Sequence, residues 1–212
     1  MTPVICMITE RRRLGSADTG PLVRRVAAAA RAGVHLVQVR ERDLDGRQLM
    51  QLTAACVDAV RGTPARIVVN DRLDVAMAAG AHGVHLRGDS MAASRVRKMA
   101  PRGFLIGRSI HSVAEAGDAD GESAADYLIF GPLFATRSKP GAAPQGLDAL
   151  AQVAGATTIP ILAVGGVTPE NAARLWPRGA AGLAAIGPFA DAADDAGLHE
   201  AVVAFAHAFD TP

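Results

Sequence analysis

Eight short runs of the chain are apolar almost without interruption: residues 4–8, 34–39, 66–69, 83–86, 104–106, 127–130, 161–164 and 183–186. A strand with one face in water alternates apolar and polar positions, whereas a strand covered on both faces does not. These runs therefore predict parallel strands lying beneath helices. The segments between them are rich in alanine and carry helical spacing. Leu22, Val26, Ala29 and Ala30 form one stripe, and Leu49, Leu52, Cys56 and Val60 form another. Residues 73–79, 91–99, 113–119, 147–154, 169–176 and 198–209 continue the alternation. Capping chemistry marks several starts: Ser112 stands three residues before Glu115, and Thr168 precedes a proline at the first helical position, Pro169.

Eight strand–helix units within 212 residues predict an α/β fold, a (β/α)8 TIM barrel forming a single domain over residues 1–212. An open doubly wound sheet has the same periodicity and is the competing architecture. The Gly- and Pro-rich stretch 140–146 falls between the sixth strand and its helix, which makes it a long βα loop rather than a domain boundary. With half of the residues hydrophobic and a fifth charged, the chain is neither disordered nor fibrous. No apolar run approaches the roughly 20 residues that span a bilayer, and the first ten residues lack the pattern of a signal peptide. Cys6 and Cys56 are too few for a disulfide framework or a zinc cluster, so a reducing cytoplasm is expected. The net charge of +1 gives no general attraction to nucleic acid or membrane, and homo-oligomerisation is left open.

In a barrel, reactive groups belong at the C-terminal ends of the strands. The second strand ends in Gln38, Arg40 and Arg42, with Gln38 and Arg40 on the same face by alternation. Arg42 could instead pair with its neighbours Glu41 or Asp43. The third strand ends in Asn70 and Asp71, the fourth runs into Arg87-Gly88-Asp89-Ser90, and the fifth into Arg108-Ser109-Ile110-His111. The sixth is followed by Thr136, Ser138 and Lys139, the seventh by Gly165-Gly166, and the eighth by Ile186-Gly187. Glycines after the last two strands suit backbone contacts to a phosphate, although a tight turn would use them as well. Arg40, Arg42 and Lys139 add positive charge, and Lys139 is one of only two lysines among 22 basic residues. Asp71 and Asp89 offer the hard oxygens that Mg2+ takes together with substrate phosphates, while Asp71 would equally suit a helix cap. The chemistry implied is a diphosphate held by cations and Mg2+. His85 reads as an interior residue satisfied by its neighbours, and Tyr127 and Trp176 as packing. His111 could act as an acid or base if its ring turns into the mouth; an outward turn or a capping role is equally compatible.

Six segments in order make the chain recognisable: Val37-Gln38-Val39-Arg40-Glu41-Arg42, Val69-Asn70-Asp71-Arg72, Gly83-Val84-His85-Leu86, Ile106-Gly107-Arg108-Ser109-Ile110-His111, Gly131-Pro132 through Ser138-Lys139, and Ala163-Val164-Gly165-Gly166-Val167. Together they resemble the thiamine-phosphate synthase family, which includes the related thiazole tautomerases. The resemblance implies a transferase that condenses a hydroxymethylpyrimidine diphosphate with a thiazole phosphate, giving thiamine phosphate and pyrophosphate. It further implies that Gln38, Arg40, Arg42, Asn70 and Lys139 hold the pyrimidine diphosphate, and that Ser109 contacts the pyrimidine. Lys139 and Ser109 would act in catalysis, Asp71 would bind Mg2+, and Asp89 would join it. Thr136, Ser138, Gly166, Ile186 and Gly187 would hold the thiazole phosphate. The synthase pattern after the fourth strand is Gly-Gln-Glu-Asp, so Ser90 stands in the register of the second metal aspartate and Asp89 lies one place before it. Arg42 replaces the usual lysine. Arg108-Ser109 with His111-Ser112 is closer to the tautomerases, which carry histidine where this chain has Pro132. A tautomerase that aromatises the thiazole, and a silent phosphate binder, are the alternative functions.

Overall fold

The computed structural model of the chain describes residues 3–137, 141 and 143–210. Eight strands form the centre: β1 (Val4–Ile8), β2 (Leu36–Val39), β3 (Arg66–Asn70), β4 (Gly83–Leu86), β5 (Leu105–Ile110), β6 (Tyr127–Phe130), β7 (Ile161–Val164) and β8 (Gly182–Ala185). Each pairs in parallel with the next, and β8 returns to β1 in the register Val4↔Gly182 to Met7↔Ala185. The sheet is therefore a closed barrel, and the open doubly wound alternative falls away.

Both strand faces are apolar because both are covered. Ile5, Met7, Val37, Val39, Ile67 and Val69 point outward into the core shared with the helices. Cys6, Ile8, Leu36, Val68, Ile129, Leu162 and Ala184 fill the inside of the barrel, where Tyr127 joins them. Gly107 sits on that inner side, and a Cβ there would overlap the Tyr127 ring and His85. The absent side chain is what admits these two rings to the barrel interior.

The helices α1 (Gly20–Ala32), α2 (Gly46–Ala59), α3 (Leu73–Ala78), α4 (Ala93–Met99), α5 (Val113–Glu122), α6 (Gly146–Ala154), α7 (Pro169–Ala172), α8 (Gly187–Ala190) and α9 (Asp195–Asp210) surround the strands. The α1 stripe Leu22, Val26, Ala29 and Ala30 is buried, as is the α2 stripe through Val60. Ser112 caps α5 by accepting from the Glu115 N–H at 3.2 Å, and Thr168 with Asn171 forms a capping box on α7. Asp45 and Gln48 form another at the start of α2.

Several expectations need correction. The fifth strand runs on to Ile110, because the polar residues Arg108 and Ser109 continue the ladders to Leu86 and Ile129. The helix expected over 169–176 ends after one turn at Ala172, and a 3-10 turn (Trp176–Arg178) follows. Pro177 has no N–H to continue an α-helical ladder. Trp176 is 40% exposed rather than packed. Finally, the eighth strand is Gly182–Ala185 rather than 183–186, and the chain turns at Ile186 into the short helix α8. Cys6 and Cys56 are free and buried, and burial raises both thiols to about 12. Among the described residues no helix is long and apolar enough to cross a membrane.

Candidate active site

The C-terminal ends of the strands open into a cavity of about 1020 Å³. It brings together Gln38, Arg40, Arg42, Asn70, Asp89, Ser109, Thr136, Gly166, Ile186 and Gly187. Ser138 and Lys139 lie outside the described residues. Strand parity explains the floor: Leu36 and Gln38 both face inward on β2, and Val68 and Asn70 do so on β3. Gln38 is 2% exposed and donates from Nε2 to Asn70 Oδ1 at 2.9 Å. Its carbonyl Oε1 is buried with no partner among the described residues. A buried orphan acceptor is costly, and a ligand donor is one way of meeting it.

Arg40 and Arg42 form no ion pair with a described residue. Their acidic neighbours are engaged elsewhere. Arg11, in a 3-10 turn after β1 (Arg11–Leu14), places two guanidinium nitrogens 2.7 and 2.8 Å from the Asp43 carboxylate. The Arg11 N–H and side chain also reach Glu41, at 3.1 to 3.4 Å. The Arg11 hydrogen bonds hold the Asp43 carboxyl down at about 2. The pairing of Arg42 with Glu41 or Asp43 that sequence allowed is thus absent. Arg40 is pulled below the ordinary arginine value by burial and by repulsion from Arg42 and Arg87, against a smaller opposing pull from Glu10 and Glu41.

The Asp71 backbone is left-handed, φ 63°, which a non-glycine residue adopts at a cost. It is not a helix cap: Arg72 holds that position before α3. The Asp71 carboxylate accepts from the Ser90 hydroxyl, and Arg87 lies 3.7 Å from its other oxygen. Asp89 turns toward Arg87 instead, at 2.6 Å, and its side chain is 69% exposed. The cause is local. The Ser90 N–H bonds the Arg87 carbonyl at 3.2 Å, closing a turn whose tip is Asp89 and whose return is Ser90. Asp89 therefore does not stand beside Asp71 as a ready second carboxylate. Among the described residues there is no group of three His, Cys, Asp or Glu arranged to hold a metal.

His85 bridges two strands inside the barrel, with Nδ1 3.2 Å from the Tyr127 hydroxyl and Nε2 2.9 Å from Ser109 Oγ. Burial drives the imidazole down to about 3, so it is neutral at working pH, and the same burial raises Tyr127 well above the usual phenol value. The neutral ring has one N–H and one bare nitrogen, so it donates to one of Tyr127 and Ser109 and accepts from the other. In the tautomer with the proton on Nε2, His85 donates to Ser109 and the Ser109 hydrogen is available to the cavity. His111 departs from an outward orientation: its ring lines the cavity with Nδ1 3.2 Å from the Gly131 carbonyl oxygen.

At the opposite side of the mouth, Gly165 and Gly166 have φ of 95° and 65°. A Cβ on either would strike the loop after β6, at Pro132 for Gly165 and at Phe134 and Ala135 for Gly166. Both glycines are thus required by the turn and by the loop packed on it. Ile186 is not strand but the residue before α8, and Gly187 opens that helix. Three arginines with no role assigned from the sequence also line the cavity, Arg13, Arg87 and Arg137. Arg13 belongs to the run Arg11-Arg12-Arg13 after β1, and that run at a strand end is the signal that marks it.

The chain matches the thiamine monophosphate synthase family over residues 5–189. It is 40% identical over 186 residues to the thiamine-phosphate synthase of Chlorobium luteolum, covering 87% of this chain and 84% of that one. To the thiamine-phosphate synthase of Methanoculleus marisnigri it is 42% identical over 174 residues, or 82% and 81% of the two chains. The thiamine phosphate pyrophosphorylase structure from Pyrococcus furiosus superimposes with a TM-score of 0.83 at 28% identity, covering 98% of this chain and 95% of that one. A 3-hexulose-6-phosphate synthase structure aligns with a TM-score of 0.74 at 16% identity, which reports the barrel alone. On its sequence and its fold, this chain belongs to the thiamine monophosphate synthase family.

Proposed function

We propose that this protein is a thiamine-phosphate synthase, a transferase that joins 4-amino-5-hydroxymethyl-2-methylpyrimidine diphosphate to a thiazole phosphate. The bond between the pyrimidine methylene carbon and the diphosphate oxygen breaks, and its electron pair leaves with pyrophosphate. The thiazole nitrogen lone pair then forms the new carbon–nitrogen bond, giving thiamine phosphate. The observation that carries this reading is the polarity of the cavity. Arg40 and Arg42, with no ion pair to a described residue, stand at one side, paired glycines at the other, and the orphan Gln38 Oε1 is on the floor between. Such a site suits two anionic substrates with an amino-bearing ring held between their charges.

In this reading Arg40 and Arg42, with Asn70 and Lys139, hold the diphosphate and stabilise its departure. Gln38 accepts from the pyrimidine amino group, and Ser109, aimed by His85, donates to the ring. Thr136, Ser138 and the backbone of Gly166, Ile186 and Gly187 receive the thiazole phosphate. Mg2+ fits this donor set through Asp71, whose strained backbone presents a carboxylate beside the cations; an ion that takes one carboxylate plus substrate phosphates needs no more. It would neutralise charge on the leaving diphosphate. Asp89 would join only by leaving Arg87.

The test is formation of thiamine phosphate from the two purified substrates, with and without Mg2+. Turnover that is lost in Arg40→Ala and retained in Arg61→Ala, on the outer surface, supports the assignment. No product under any Mg2+ concentration would sink it. The inward ring of His111 supports a second activity, tautomerisation of the thiazole phosphate. That activity would proceed without the pyrimidine substrate, be indifferent to Mg2+ and vanish in His111→Ala.

A further inference from the structure

The strand order places the turn after β1 directly beside the end of β8, because the two strands pair. Through this neighbourhood the 3-10 turn Arg11–Leu14 reaches α8. Arg13 lines the cavity with its side chain only 22% exposed, and donates from Nη2 to Asp191 Oδ2 at 2.5 Å. Glu10 lies 3.9 Å from its Nη1. A methyl group placed on Gly187 would stand 3.8 and 3.9 Å from the two Arg13 guanidinium nitrogens, and 3.6 Å from the Asp191 carboxylate. The guanidinium fork thus hangs over the open side of Gly187, at the β8–β1 edge of the cavity.

We propose that Arg13 is a specificity residue that recognises the phosphate of the thiazole substrate, taking two of its oxygens while the backbone at Gly187 takes another. The proposal rests on the reading that this end of the cavity holds that phosphate. A guanidinium matches two phosphate oxygens in one plane, and a dianion offers more charge than a single carboxylate. Asp191 is 44% exposed and its bond to Arg13 is correspondingly cheap to exchange. Asp191 therefore acts as a placeholder: it keeps the fork pointed over Gly187 until phosphate displaces it. Through this exchange the enzyme distinguishes a phosphorylated thiazole from the free alcohol. Arg13 acts on binding of the phosphate.

Calorimetric titration with thiazole phosphate, with thiazole alcohol and with inorganic phosphate tests this in the unaltered enzyme and in Arg13→Gln, Arg13→Lys and Asp191→Asn. Arg13→Gln should weaken thiazole phosphate by about tenfold to a hundredfold, the range for one charged hydrogen-bonding group. It should leave thiazole alcohol, and the KM for the pyrimidine diphosphate, unchanged. Arg13→Lys should recover part of the loss, and Asp191→Asn should tighten thiazole phosphate. If Arg13→Gln binds thiazole phosphate as the unaltered enzyme does, the role of Arg13 is wrong while the phosphate site stands. If the unaltered enzyme shows no preference for phosphate over alcohol, the phosphate site itself is wrong. Weaker thiazole phosphate binding in Asp191→Asn would overturn the exchange.

Discussion

Ser90 and Asp89 differ by one place in the chain and by their whole environment. The turn closed by Arg87 and Ser90 sends Asp89 outward and returns Ser90 to Asp71. A carboxylate at position 90 would therefore face Asp71 directly. Ser90→Asp is expected to lower the Mg2+ concentration needed for half-maximal pyrophosphate binding by about tenfold, since ligand charge sets cation affinity. An unchanged Mg2+ requirement would place the metal elsewhere. His85 gives a second expectation at this scale. Its ordinary value is 6.5 and burial holds it at about 3 in the fold. Below pH 6.5 the unfolded chain binds a proton that the folded chain refuses, so stability falls as pH drops from about 6.5 toward 3. His35 and His82, also lowered by burial, add to the same slope. His85→Gln should flatten part of it, read as the urea midpoint against pH.

Among the elements, β1, β4, β6 and β7 have the bounds that their apolar runs predict, because each is covered on both faces and closed by a polar residue or a turn. The fifth strand does not: toward the mouth the barrel interior turns polar, and Ser109 looks like loop although it is ladder. The same parity made Gln38 and Arg40 legible as partners on one face. The Arg11 contacts to Glu41 and Asp43 were not legible, since they join residues about 30 positions apart. Nor was the split between Asp89 and Ser90, which depends on a turn. The glycine pair after β7 was legible as chemistry, but its packing beneath the β6 loop was not. That packing yields a prediction. Gly166→Ala combines a left-handed backbone with overlap against Phe134 and Ala135, so it should cost about 1–3 kcal/mol. Its thermal midpoint should fall, and its KM for thiazole phosphate should rise as the loop is pushed off the turn.

For the whole molecule, a net charge of +1 hides a strongly local arrangement. Arg13, Arg40, Arg42, Arg87 and Arg137 line one cavity together with the carboxylates Asp89, Glu115, Glu170 and Asp191. Asp89 is held by Arg87 and Asp191 by Arg13, while Arg40 and Arg42 have no ion pair with a described residue, and low-dielectric walls concentrate their field. Both proposed substrates are anions, so their capture should depend on salt although the protein as a whole is almost neutral. Between about 50 and 500 mM salt the Debye length falls from roughly 14 to 4 Å. We expect kcat/KM to drop several-fold over that range with little change in kcat at saturation. A flat salt profile would mean that the mouth does not steer its substrates.

The engagement of Glu41 and Asp43 by Arg11 has a kinetic meaning. These carboxylates are anions tethered one residue away from Arg40 and Arg42, the cations that a diphosphate requires. A tether that short amounts to a local concentration of millimolar or more. Left loose, each would be an inhibitor covalently attached to its own enzyme, competing with substrate and impossible to dilute away. Arg11 is the antidote. Arg11→Gln should therefore raise the KM for the pyrimidine diphosphate, while saturating substrate restores kcat in the folded fraction: competitive inhibition with no inhibitor added, from a substitution that touches no ligand.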